Sequence, residues 1–445
     1  MDPVLLARIQ FGLTIAFHFL FPPVSIGLAW IIVYMAWRSW RTGEAIYEQM
    51  TRFWVKILAL IFVVGVASGI TMEFQFGTNW STYSRFVGDI FGSPLAAEGV
   101  FTFFLESTFM GVMIFGRKRV SKKMYCFSAL MVALGATFSA FWIIVANSWQ
   151  QTPVAYQIVG EGAFRRAELT NFWGAVFNPS TMPRYIHTVT AAMITGGFFV
   201  ASSSAWYLIK GRFQEFARRS LLIGLIIAAV ASLLIVGVGH WHAIQVAETQ
   251  PAKLAAFEAL YETQDGVGMI IWGFPDVANQ TVRMRIAVPK LLSILIDMDP
   301  NSTIASLDQF PRSEWPPIDL SFYPYHLMVL LAGWFILVSW IGLLLGKKRY
   351  ENKLFLKALL ITLPLPILTM ELGWMAAELG RQPWVVYGLL KTEDAVSAVV
   401  PAGQILATII MFSVVYALLL ALLIYLILKE FRRGPEHGVH KEAIS

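Results

Sequence analysis

Nine times along this chain, apolar residues run on for about twenty positions with few charges among them. Coiled as an α-helix, a run of that length spans the hydrocarbon core of a bilayer. Helices and closed barrels alone can satisfy every backbone group there. The runs cover residues 11–36, 53–72, 95–115, 125–146, 187–209, 221–239, 325–345, 354–378 and 404–428. The fold class expected is an all-α polytopic membrane protein with nine transmembrane helices. A charged fraction of 14% agrees, since a soluble domain carries about 25%. The organisation expected is helices one to six over residues 1–239, a long loop over 240–324, helices seven to nine over 325–430, and a tail over 431–445. Residues 1–10 lead into the first span without a basic region or a small-residue cleavage site, so no removed signal peptide is expected.

The connections alternate in charge. About two thirds of the 34 Lys and Arg lie in the first, third, fifth and seventh connections and the tail, in clusters such as 117–123 and 347–357. The positive-inside rule puts these in the cytoplasm. The N-terminus is then outside and the C-terminus inside, as an odd number of spans requires. The net charge of +6 is thereby explained by topology, and no nucleic-acid partner is expected. Cys126 stands alone. It excludes an internal disulfide, a four-cysteine iron–sulfur cluster and haem attachment through C-x-x-C-H.

Ionisable groups inside a bilayer are costly and mark function by default. With this orientation His18, Glu98, His187, His240, His242, His326, Met328, Glu378 and Arg381 all fall toward the outer face. Glu106 lies about 12 Å deeper than Glu98 on the same span. Only His437 and His440, in the tail, are inside. Singly, each has an ordinary reading. A histidine at a helix end is more often interfacial than a ligand, and Met328 is one of 17 methionines. An isolated acid can bond a neighbouring helix, and Glu73 and Asp89 read as solvated. Agreement in depth across five helices points instead to haem ligated by His, or by His and Met, with Glu98 and Glu106 as a proton relay. Glu371, Trp374 and Glu378 share one face of the eighth span, which ends at Gly380 with Arg381 at its mouth. Glu371 takes no defined role. The rival from another class is a haem-free transporter with Glu98, Glu106 and Glu378 as coupling acids. The internal repeats usual in such folds are not visible.

Five stretches carry a resemblance: 69–80 (GITMEFQFGTNW), 87–92 (VGDIFG), 98–108 (EGVFTFFLEST), 253–258 (KLAAFE) and 373–384 (GWMAAELGRQPW). Together they resemble subunit I of the cytochrome bd family of quinol oxidases, over essentially the whole length and in its short-loop form. The resemblance implies a multi-pass subunit of the prokaryotic cytoplasmic membrane, paired with a subunit II and with room for a small single-helix subunit. It implies non-covalent low-spin haem b, high-spin haem b and haem d, with quinol and O2 as substrates. His187 and Met328 match the ligands of the low-spin haem. His18 and Glu378 match single ligands to the other two haems, and which of these sites takes haem d stays open. Arg381 and Trp374 match residues lining that centre. Glu98 and Glu106 match the proton route, with Ser139 as hydroxyl partner. Lys253 and Glu258 match the quinol-interacting segment, Glu258 as base and Lys253 on a quinone oxygen. On a surface helix the pair could equally be solvated.

Two positions depart from the family pattern. His326 stands where an arginine is expected, which leaves open whether it or Met328 is the haem ligand. Gln150 stands where a methionine is expected. An electron-transfer subunit serving an acceptor other than O2 is the alternative within redox chemistry.

Overall fold

The computed structural model describes residues 2–435, so His437, His440 and the end of the tail lie outside the described residues. Nine stretches among those residues are long and apolar enough to cross a membrane. Three are composite. The first is α1 (Pro3–Phe19) and α2 (Pro22–Thr42), parted where Pro22 and Pro23 supply no amide donors. It is followed by α3 (Ala45–Thr78). The third span joins α4 (Ser81–Ala97), a π-helical stretch (Glu98–Phe103) and α5 (Phe104–Phe115). Next comes α6 (Lys122–Gln151). A connection with the hairpin β1 (Tyr156–Val159) and β2 (Arg166–Leu169) and the short α7 (Phe172–Val176) leads to α8 (Thr181–Ile209) and α9 (Gln214–Thr249).

The long connection then holds α10 (Pro251–Phe257), β3 (Gln264–Asp265), β4 (Met269–Asp276), β5 (Thr281–Val288), α11 (Leu291–Asp297) and β6 (Thr303–Ile304). Strands β4 and β5 pair antiparallel, as do β3 and β6. After α12 (Ile318–Leu344), the eighth span is α13 (Lys353–Thr362) and α14 (Leu365–Leu379), broken at Pro364. A turn with β7 (Trp384–Val386), β8 (Leu390–Lys391) and α15 (Thr392–Ala395) precedes α16 (Ala402–Arg433).

The helices outrun their apolar stretches. Helix α9 continues ten residues past the expected limit at 239, and α12 starts at Ile318 rather than 325. The long connection therefore covers 250–317, and His240 and His242 lie within α9 rather than at its end. Apolar runs report bilayer thickness, whereas a helix can continue into polar surroundings. The connection packs its own apolar core, Leu254, Phe257, Leu260, Ile270, Leu292 and Leu307 among others. That core is continuous with Ile318 and Phe322 of α12 and Ala376 of α14. It is docked on the bundle at the end called here the loop end.

The opposite, basic end is tied by ion pairs and caps. Arg219 pairs with Glu44 at 2.6 Å, Arg117 with Glu48 at 2.8 Å, and the Tyr207 hydroxyl donates to the Phe431 carbonyl at 2.8 Å. Between the ends, α2 and α8 cross at glycines. A Cβ on Gly27 would stand 2.3 Å from the Ala192 carbonyl oxygen, and one on Gly196 would stand 2.4 Å from the Gly27 carbonyl carbon. Close backbone approach is how membrane helices gain packing energy. Gly196→Leu is expected to destabilise the subunit by about 3 kcal/mol or prevent assembly. A thermal midpoint in detergent equal to that of the native chain would contradict this crossing.

Candidate active site at the loop end

Three acids and a hydroxyl lie along α3 to α6. Ser139 Oγ donates to Glu98 Oε1 at 2.6 Å. Glu106 is 8% exposed and packed on Gly135, where a Cβ would lie 2.9 Å from its own Cβ. Gly135 and Ser139 are one turn apart on α6, so both acids face α6. A regular helix would separate residues eight apart by about 80°. One extra residue in a π turn reduces this to about 20°, aligning Glu98 with Glu106. The spacing in sequence alone does not reveal this alignment. Glu73 on α3 acts electrostatically on Glu98 and extends the row, so it belongs with these acids. Asp89 instead accepts the Leu169 amide at 2.7 Å and holds β2.

The candidate ligands come from four helices. His18 Nδ1 is 3.0 Å from Ser68 Oγ, whose own proton goes to the Val64 and Gly65 carbonyls. Nδ1 is then the donor and Nε2 keeps its lone pair, the tautomer a metal ligand needs. Gly69 leaves room for the ring, since a Cβ there would be 3.2 Å from His18 Cε1. His187 Nδ1 and His242 Nε2 are buried without hydrogen-bond partners, and the two rings meet edge to face at 5.4 Å. Met328 Sδ points to α14, 2.9 Å from where a Gly373 Cβ would be, one residue from the half-buried Trp374. Among the described residues no three His, Cys, Asp or Glu converge as an ion cage. Separate single donors with glycine-made room fit a macrocycle such as haem better than a bare ion.

His326 is not free to ligate. Its Nδ1 is 3.0 Å from the Phe322 carbonyl oxygen and its Nε2 3.0 Å from that of Ile270, and the ring stacks on Phe322 at 3.9 Å. It fastens β4 to α12. Met328, on a different side of the helix, is left as the candidate ligand.

Glu378 sits in a buried polar cluster. Its Oε1 accepts from Asn147 at 2.9 Å and Gln151 at 3.1 Å, and its Oε2 pairs with Arg381. Arg381 Nη1 also donates to Gln150 Oε1 at 2.7 Å and to the Val385 carbonyl at 2.5 Å. Gln150 in turn donates to the Tyr83 hydroxyl. The unexpected glutamine is therefore a strut between α4 and the arginine, which a methionine could not be. Arg184, one turn before His187 on α8, acts electrostatically on His187, His242, Lys253 and Glu378. Glu371 Oε1 is buried with no partner.

Lys253 and Glu258 are 1% and 0% exposed, so neither is solvated. They share no hydrogen-bond partner. Lys253 Nζ donates to Gln151 and Gln250 at 2.5 Å each, and its stem lies against Gly380. It points into the Glu378 cluster, and burial pushes its ammonium well below the usual lysine range. Glu258 Oε2 accepts the Ile270 amide at 3.3 Å, while Oε1 has no partner. Burial pushes Glu258 up to about 8, against the lowering effect of the Ile270 amide, of Arg285 and of the Tyr325 hydroxyl. The turn after α10 sends the two side chains apart, which their spacing in sequence does not reveal.

Comparison with known proteins gives this arrangement a family. The family model described as cytochrome bd terminal oxidase subunit I matches residues 6–435. The chain is 37% identical to the cytochrome bd ubiquinol oxidase subunit 1 of Bacillus subtilis (strain 168), covering 99% of this chain and 96% of that one. It is 34% identical to the cytochrome bd-II ubiquinol oxidase subunit 1 of Escherichia coli (strain K12), covering 98% and 97%. The bd oxidase structure from Geobacillus thermodenitrificans superposes with a TM-score of 0.90 at 28% identity, covering 98% of this chain and 99% of that one. By sequence along nearly its whole length and by fold, the chain belongs to the cytochrome bd terminal oxidase subunit I family.

Proposed function

We propose that this chain is the haem-bearing subunit of a membrane quinol oxidase that oxidises quinol at the loop end and reduces O2 to water. The observation that carries the reading is that buried cations gather on Glu378, with Arg184 also acting on His187 and Met328 facing the helix that carries Glu378, in a bundle of this family that also carries the Ser139–Glu98–Glu106 row. His187 and Met328 would hold the low-spin haem b. His18 and Glu378 would each hold one of the other two, a high-spin haem b and a haem d. Bound haem supplies one-electron transfer and, where a single protein ligand leaves an iron face open, a place for O2. Arg381 would pair with a haem carboxylate and Trp374 would pack on a ring.

The chain's own work is proton handling and positioning. Each quinol gives up two electrons and two protons, and O2 takes four of each. Glu258, held by the Ile270 amide and with the Tyr325 hydroxyl beside it, is the base for quinol protons. Ser139, Glu98 and Glu106 line a route inward from the basic end. The charge asymmetry of the connections supports placing the basic end in the cytoplasm and the loop end outside. Opposite-side release and uptake of protons would then make the reaction electrogenic without a pump. Subunit II and a small single-helix subunit are the expected partners, and the cytoplasmic membrane the expected location.

Purified complex is expected to consume O2 with a reduced quinol as sole donor; haem reduction without O2 uptake would favour an electron-transfer subunit with another acceptor. The pH profile is a second check. Because burial raises Glu258, most of it is protonated at neutral pH and cannot accept a proton. Quinol kcat/KM should therefore climb as pH rises and level off above about 8. Glu258→Gln should remove both the limb and most of the rate. A profile that is flat from pH 6 to 9 in the native chain would contradict this assignment.

A further inference from the structure

Three buried cations meet one half-buried carboxylate at the loop end. Arg184, Lys253 and Arg381 are 6%, 1% and 5% exposed, and all three act on Glu378. Glu378 pairs directly with Arg381 alone among them. Among the described residues it is the one carboxylate that acts on Arg184 and Lys253. A low-dielectric interior does not hold two surplus cations without a counter-charge. The unused polar atoms show where that charge would sit. Arg184 Nε, Gln250 Nε2, His187 Nδ1 and His242 Nε2 are all buried without partners, and Arg184, His187 and Lys253 all act electrostatically on His242. A bound dianion there would balance the two surplus positive charges.

We infer that Arg184 and Lys253, with Gln250, complete a dianion site beside His187, occupied by the two carboxylates of the haem held there. Lys253 is then a positioning residue for that haem and not a contact to quinol, although it belongs to the connection that carries Glu258. The Gln151 amide links it to Glu378, since Gln151 Oε1 accepts from Lys253 while Nε2 donates to Glu378. This inference rests on the haem reading above.

An anaerobic potentiometric titration of the purified complex tests it. The low-spin bands are first assigned by their loss in His187→Ala. A cation near the iron favours the reduced, less positive state. Arg184→Gln and Lys253→Met should each lower the midpoint of those bands by a tenfold change in the one-electron equilibrium, about 59 mV. Arg184→Lys should restore most of the shift, and the quinol KM of Lys253→Met should stay native. Full haem content with an unchanged midpoint and a raised KM in Lys253→Met would overturn the inference and return Lys253 to the quinol site. Haem loss in Arg184→Gln supports it if Arg184→Lys retains haem, and overturns it if the lysine variant loses haem equally. A native midpoint that moves with inorganic phosphate, and ceases to do so in the variants, would identify a free anion and overturn the carboxylate assignment. A native preparation without haem would instead overturn the oxidase reading itself.

Discussion

Glu378→Ala is expected to remove one haem per complex and to lower subunit stability by at least about 3 kcal/mol. Glu378 takes hydrogen bonds from Asn147 and Gln151 and pairs with Arg381, all in a region shielded from water. Truncation takes away the proposed iron ligand and leaves Arg184, Lys253 and Arg381 without the carboxylate they act on. Breaking one side of a buried ion pair is more damaging than removing both, because the stranded charge keeps its desolvation penalty. Glu378→Gln keeps the shape and part of the hydrogen bonding but not the charge, so it should be less destabilised while still losing the haem. Haem content per subunit and the thermal midpoint in detergent measure the two effects. Native haem content with a native midpoint in the alanine variant would show that Glu378 neither ligates nor neutralises.

Glu106→Gln is expected to slow O2 reduction about 100-fold or more while quinol still reduces haem b under anaerobic conditions. The glutamine fills the same space against Gly135 but cannot carry a proton. Glu98→Gln should behave alike, because the π-helical stretch places it on the same side of the helix, bonded to Ser139. Ser139→Ala should have the smaller effect, since it removes an orienting hydroxyl and leaves the acid. Stopped-flow mixing of reduced complex with O2 separates the two half-reactions. Unchanged turnover in both glutamine variants would remove Glu98 and Glu106 from the proton route.

The nine spans could be read from the sequence because bilayer thickness sets a length that apolar runs report directly. The polar residues of the site could be singled out because intramembrane charge is rare. What could not be read follows from tertiary contact. Glu98 and Glu106 align only through a π turn, and nothing in EGVFTF announces one. Lys253 reads as a surface residue until the connection folds back, so that it meets Gln151 from α6. His326, two residues from Met328, reads as a rival ligand until β4 arrives to occupy its Nε2. Gln150 has no reading in sequence because its partners, Tyr83 and Arg381, come from distant segments. Arg184 was missed although a signal existed. A cation three residues before His187 lies on the same side of α8, and that spacing could have been read.

The reduced-minus-oxidised absorption spectrum of the purified complex tests the central claim most directly. The account predicts low-spin and high-spin b-type bands together with a far-red chlorin band, with the low-spin bands lost in His187→Ala. A spectrum with b-type bands alone would contradict the oxidase reading, and one with no haem absorbance would contradict the assignment of the loop end as a haem site.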